Sequence, residues 1–135
     1  MEGDDPLFNK DTKRRAEVLG IPDDYPSGGI RKFKNATVEQ IKTLIDENFL
    51  DPSDRQNFSP TAGEFLDFMQ NYPEVRAHGY VVSPDRDDYR VTIEGLECPG
   101  FKLTEDSFGL YINFVKLCRH ADELEINSEL YSWWD

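Results

Sequence analysis

The sequence predicts a small α+β domain in which N-terminal helices are followed by an antiparallel hairpin, a further helix and a C-terminal strand. Apolar residues recur at helical spacing before Pro73 and alternate with polar residues after it. A looser alternation returns near the end of the chain, so we expect the hairpin and the last strand to form a small antiparallel sheet. The chain has 135 residues, the usual length of one domain. We assign residues 1–10 to a flexible N-terminal arm and residues 11–135 to a single α+β domain.

A short helix is predicted immediately after the arm. Asp11 or Thr12 can cap its first turn, and Gly20 stands where a left-handed glycine commonly closes a helix. The composition of residues 23–29 then predicts a loop. Residues 30–34 alternate in polarity, which is typical of a short extended segment.

The strongest helical signals come from two segments in the middle of the chain. Thr37 and Gln40 have the spacing of a capping box, and the apolar residues that follow them share one helical face. Ser59 and Pro60 are predicted to cap and begin a second helix, which we expect to run to about Tyr72. Two helices joined by a short connector usually pack as an antiparallel pair.

The second half of the chain is predicted to supply the sheet. Alternation over residues 74–83 and 89–96 predicts two strands, which residues 84–88 join as a turn. Thr104 and the acidic residues after it favour the start of another helix, although the apolar pattern there also fits a strand. The length of that segment favours the helix. Residues 124–134 are expected to form the closing strand.

The net charge of −12 is unevenly placed along the chain. Seven basic and seven acidic residues lie in the part that ends at Lys34, which leaves 8 basic and 20 acidic residues in the remainder. A domain with this much negative charge repels phosphate backbones and anionic lipids, and it attracts basic surfaces. We therefore expect a basic protein surface as the partner, and neither nucleic acid nor a membrane.

The two cysteines, Cys98 and Cys118, indicate the compartment. A pair this small does not make a disulfide framework, and it is typical of reduced thiols in a cytoplasmic protein. The apolar stretches are also far shorter than the roughly 20 residues that a membrane-spanning helix needs. These observations predict a soluble protein of the cytoplasm.

The sequence contains no recognisable catalytic or cofactor motif, and we expect no cofactor. Together with His78 and His120, the two cysteines have the composition of a structural zinc site, but they lack its closely spaced pairs. The favoured interpretation is that Cys98 ends a strand and Cys118 lies on a helix, both as small buried apolar residues.

A second candidate for chemistry is the cluster of His120, Asp122 and Glu123, which has the residue types of a cation site or an acid–base pair. The simpler interpretation is the C-terminus of a helix, where a histidine is favoured by the helix dipole. The cluster nevertheless defines the alternative function, a small metal-assisted or acid–base enzyme.

The C-terminal segment, residues 122–135, is the most unusual part of the chain, since it holds five acidic residues, no basic residue and three large aromatics. In a strand, Trp133 and Trp134 point to opposite faces, so one can enter the core while the other meets a partner. The opposing interpretation is that both are packed in the interior. The candidate partner-binding residues are Asp122, Glu123, Glu125, Glu129, Tyr131, Trp133, Trp134 and Asp135.

Exposed tryptophan and tyrosine ringed by charge are typical of interaction hot spots. The leading hypothesis is therefore a non-enzymatic, acidic protein-binding module of the inhibitor, immunity or adaptor type.

Overall fold

A computed structural model describes residues 8–135 as four α-helices and one five-stranded antiparallel sheet. The strand order is β1-β2-β3-β5-β4, and each neighbouring pair is antiparallel. The predicted α+β class is therefore confirmed. The elements are α1 (Thr12–Leu19), β1 (Ile30–Ala36), α2 (Val38–Asp46), α3 (Ala62–Asn71), β2 (Arg76–Val82), β3 (Val91–Cys98), α4 (Phe108–Cys118), β4 (Glu123–Glu125) and β5 (Leu130–Trp133).

The first two helices begin and end through the local signals seen in the sequence. The Asp11 side chain accepts the backbone N–H of Arg14, and Gly20 closes α1 with a φ of 68°. Thr37 and Gln40 form the predicted capping box of α2, with each side chain accepting the other residue's backbone N–H. Each helix thus satisfies donors that its first turn would otherwise leave unpaired.

Helix α3 starts later than predicted. Its N-cap is Thr61, which forms a capping box with Glu64, and its last residue is Asn71. The hydroxyl of Ser59 is instead buried in the preceding turn, where it accepts the backbone N–H of Gln56. The Ser59 prediction was wrong because a reciprocal box satisfies two backbone donors, whereas a lone serine cap satisfies one.

The predicted hairpin is confirmed as the antiparallel pair β2–β3. The prediction of one continuous closing strand was wrong, because residues 126–129 form a turn that divides this segment into β4 and β5. β5 lies between β3 and β4, and β1 joins the opposite edge of the sheet beside β2. Helix α4 starts after Ser107, and Thr104 lies in the turn before it, where its N–H donates to the Ser107 hydroxyl.

All four helices contribute side chains to one buried cluster with the inward residues of the sheet. None of the helices within residues 8–135 has the length and apolar character needed to cross a membrane. Residues 1–7 of the predicted arm lie outside the described residues. Within the described part of that arm, the backbone N–H of Asn9 donates to the carbonyl of Asn48. The backbone carbonyl of Asn9 accepts a hydrogen bond from the Tyr89 hydroxyl.

Candidate protein-interaction surface

The sheet has two faces with different surroundings. Phe33, Ile93 and Leu130 point into the buried cluster that the helices share. Because side chains alternate along a strand, the neighbours of these residues within each strand point to the other face of the sheet. We call this the open face. Tyr131 and Trp133 lie there and are half-buried, while Leu130 beside them is fully buried.

Strand register places carboxylates directly beside the two aromatic side chains. Tyr131 pairs with Glu97 of β3 on one side and with Glu125 of β4 on the other. Trp133 pairs with Glu123 of β4. Directly opposed side chains have Cβ atoms about 4.5–5.5 Å apart, so these carboxylates flank the rings. We call these five residues the acidic aromatic patch.

The electrostatic environment of Tyr131 reports the density of negative charge on this face. Burial raises the pKa of its hydroxyl above the ordinary value of 10.0, and the charges of Glu123, Glu97, Glu94 and Glu129 raise that pKa further. Four carboxylates therefore act on one half-buried phenol. A cation that approaches Tyr131 is attracted by the same charges.

A groove of about 240 Å³ lies beside the patch on the open face. Its most buried charged residue is Glu94, whose side chain is only 8% exposed. The Lys32 ammonium donates to Glu94 Oε1 at 2.7 Å, and the Trp133 indole N–H makes a longer bond of 3.4 Å to Glu94 Oε2. The residues that line the groove are Lys32, Phe33, Lys34, His78, Gly79, Glu94, Glu97, Tyr131 and Trp133.

His78 holds one wall of the groove in place. Its ring stacks on Tyr131 with a centroid separation of 5.0 Å and an interplanar angle of 4°. Its Nε2 lies 2.7 Å from the carbonyl oxygen of Ser132, so this nitrogen carries a proton and donates. Gly95 makes room for the contact, because a Cβ atom there would lie 2.8 Å from Nε2 and 1.9 Å from the Ser132 oxygen.

The remaining predicted site residues have different positions. Glu129 is half-buried and acts on Tyr131 through its charge. Asp122 is exposed, and its carboxylate accepts the backbone N–H of Asp135 at 2.8 Å, which ties the C-terminus to the start of β4. The carbonyl of Asp135 in turn accepts a hydrogen bond from the side chain of Asn57. Of these three predicted residues, only Glu129 acts on the acidic aromatic patch, and the other two are hydrogen-bonded to each other.

Trp134 is not available to a partner, so its place among the predicted binding residues is corrected. It is 2% exposed and packs edge-on against Phe65 of α3, with ring centroids 5.7 Å apart. Its indole N–H has no hydrogen-bond partner among the described residues. The prediction that the two adjacent tryptophans point to opposite faces holds, because Trp133 lies on the open face.

Seven residues of the groove were absent from the predicted set, namely Lys32, Phe33, Lys34, His78, Gly79, Glu94 and Glu97. Alternation over residues 89–96 indicated that Glu94 points away from the core, but extended to Glu97 it would place that residue on the core side, and it carried no information on which strand lies beside them. That neighbour is β5, which is distant in sequence. The irregularity in the β2–β3 register between His78 and Gly79 leaves Glu94 as an extra residue, and this shifts the alternation so that Glu97 lies on the same face as Glu94.

The residues of the alternative enzyme hypothesis have separate surroundings, since Glu123 pairs with Trp133 in the sheet. His120 is exposed after the end of α4, and the Asp122 carboxylate accepts the backbone N–H of Asp135. Across residues 8–135, no group of three or more histidine, cysteine, aspartate or glutamate side chains is arranged to hold a metal ion. Cys98 and Cys118 are both buried free thiols, and burial raises the pKa of Cys118 to about 12.

Comparisons with known proteins add no family to this description. No protein-family model, curated protein or solved structure matches the chain.

Proposed function

We propose that this protein is a non-enzymatic binding module whose open face engages a basic surface of another protein, as inhibitors, immunity proteins and adaptors do. The observation that carries the proposal is the acidic aromatic patch, in which Tyr131 and Trp133 remain half-exposed between carboxylates fixed by strand register.

The patch combines the two contributions that a specific and fast interaction needs. Half-exposed tryptophan and tyrosine offer large apolar area on rigid side chains, and such residues supply much of the binding energy in protein interfaces. The carboxylates beside them favour a cationic partner and disfavour an anionic one. The net charge of −12 extends this selectivity to longer range by steering basic partners toward the protein.

The proposed setting is the cytoplasm. Support comes from Cys98 and Cys118, which are free thiols, as is usual in a reducing compartment.

The test is affinity capture from the native cell lysate, with the tagged full chain as bait and mass spectrometry as the readout. We compare the wild type with Trp133→Ala, and we use Phe108→Ala as the matched control because Phe108 is 53% exposed on α4, outside the patch. We expect the wild type and Phe108→Ala to retain the same basic protein at low salt and to release it at high salt. Trp133→Ala is expected to lose it.

Two results would contradict the proposal. One is retention of the same proteins by Trp133→Ala and the wild type in equal amount, because the patch would then contribute nothing. The other is the absence of any basic protein among those retained at low salt.

A further inference from the structure

We propose that Glu94 binds an arginine side chain of the basic partner. In the free protein Lys32 pairs with Glu94 instead, and the arginine displaces it. The inference rests on the proposed function and adds to it the residue type that the groove recognises. It is carried by the Lys32–Glu94 ion pair, whose two residues line the groove, and by the aromatic side chains beside it.

The two members of this ion pair differ in burial. The Glu94 side chain is 8% exposed, whereas the Lys32 side chain is 64% exposed and extends from the edge strand β1. A buried carboxylate needs a counter-charge, because an isolated charge out of water is costly. An exposed lysine can leave such a pair and regain its hydration and its rotamer freedom. The carboxylate is therefore the fixed member of the pair and the lysine is the exchangeable one.

The walls of the groove fit a planar cation. Trp133 lines the groove, and its indole N–H donates to Glu94 Oε2 at 3.4 Å. Tyr131 lies two residues away on the same strand, and its ring stacks on His78. Both aromatic side chains line the groove, and a guanidinium group stacks on aromatic faces more readily than an ammonium does.

Arginine also gains contacts that Lys32 cannot make. A partner lysine would replace one ammonium by another at Glu94 with little change in contacts. A guanidinium carries five N–H donors, so it can bind Glu94 and still donate to Glu97, which lines the same groove. The groove has a volume of about 240 Å³, which is enough for one long side chain.

Lys34 supplies a matched control for the substitution of Lys32. It lies two residues from Lys32 on the same strand, it lines the same groove, and it is also exposed. Among the described residues it makes no hydrogen bond or ion pair, in contrast to Lys32. Substitution of either lysine changes the net charge equally, so a difference between the two variants reports the contacts that Lys32 makes and Lys34 lacks. These are the ion pair with Glu94 and a weaker contact with the Tyr80 ring, 5.7 Å from its centroid.

The experiment is a titration of the full ¹⁵N-labelled chain, followed by NMR, with two acetylated and amidated heptapeptides. One alternates arginine with glycine, and the other alternates lysine with glycine. We expect the arginine peptide to shift the Trp133 indole resonance and to bind several-fold more tightly than the lysine peptide. Glu94→Gln should weaken arginine-peptide binding by roughly tenfold or more. Lys32→Ala should strengthen it roughly twofold to fivefold beyond any effect of Lys34→Ala.

Each other outcome has a definite meaning. Equal affinities of the wild type and Glu94→Gln, equal effects of Lys32→Ala and Lys34→Ala, or equal affinities for the two peptides would overturn the arginine assignment. The proposed function would survive these results as long as either peptide shifts resonances of the acidic aromatic patch. Absence of any shift on the open face at low salt would contradict the proposed function itself. Lys32 is largely exposed, so its variant keeps the test valid even if Glu94→Gln proves unstable.

Discussion

The two faces of the sheet hold adjacent tryptophans in opposite environments. Trp134 packs against Phe65 in the core, whereas Trp133 lies half-buried among carboxylates on the open face. The core face is apolar and filled by four helices, while the open face is polar, aromatic and free of helices within residues 8–135. The comparison shows that residue type does not decide the role of a tryptophan here. Its position in the strand alternation decides it.

The largest expected effect is a difference in stability between alanine variants of the two tryptophans. Trp134→Ala should lower the free energy of unfolding by about 3–5 kcal/mol, because it leaves a cavity beside Phe65. Trp133→Ala should lower it by less than about 1.5 kcal/mol, since that ring is only half-buried. Urea denaturation followed by circular dichroism measures both values. Equal losses in the two variants would break the distinction between the faces.

A second prediction concerns Gly95, which shows that the open face also has a tightly packed point. A Cβ atom at Gly95 would lie 1.9 Å from the Ser132 oxygen, so Gly95→Ala should destabilise the protein by about 1–3 kcal/mol. Gly109→Ala is the control, because its Cβ meets nothing closer than 3.7 Å and it lies in α4. We expect that variant to gain up to about 1 kcal/mol. A Gly95→Ala variant as stable as the wild type in urea denaturation would contradict the described packing of His78.

The third prediction is a pH dependence that arises on the core side. Burial raises the pKa of the Cys118 thiol from 9.0 to about 12, so the folded protein keeps a proton that the unfolded chain releases above about pH 9. Stability should therefore fall as the pH rises from about 9 toward about 12, by at most ~1.4 kcal/mol per pH unit. Below about pH 9 both states hold the proton, and this contribution to the pH dependence vanishes.

Cys118→Ala isolates this effect from other groups that titrate at alkaline pH. Urea denaturation of both proteins at several pH values between about 8 and 11 gives the two slopes. We expect the variant to show the shallower decline. Identical slopes would mean that the thiol does not carry the predicted proton linkage.

Features set by neighbouring residues could be predicted from the sequence. The capping box of Thr37 and Gln40 and the glycine that ends α1 need only residues within one turn, and both were confirmed. The hairpin needed only a change of period and a turn. The start of α3 was misplaced because two cap signals overlap, and the choice between Ser59 and Thr61 depends on which side chain the preceding turn uses.

The candidate site could be predicted only in part, for a physical reason. Alternation that continues from β5 into the next residue separates Trp133 from Trp134, and the local density of acidic residues is visible in the sequence. The pairing of β5 with β3, which brings Glu97 beside Tyr131, depends on contacts between distant segments. No local pattern specifies such a pairing. The Lys32–Glu94 pair, which spans 62 positions, lies outside local analysis for the same reason.

The central claim is that the patch itself, and not the net charge alone, binds the basic partner. The most direct test measures the rates at which the captured partner associates with and dissociates from two double variants. Both variants change the net charge by the same amount. Glu123→Lys with Glu125→Lys alters the patch, and Asp85→Lys with Asp87→Lys alters exposed residues of the β2–β3 turn. We predict that the patch variant loses affinity roughly tenfold or more, whereas the turn variant stays within about threefold of the wild type. Equal losses in both variants would contradict the claim, because general attraction would then explain the binding.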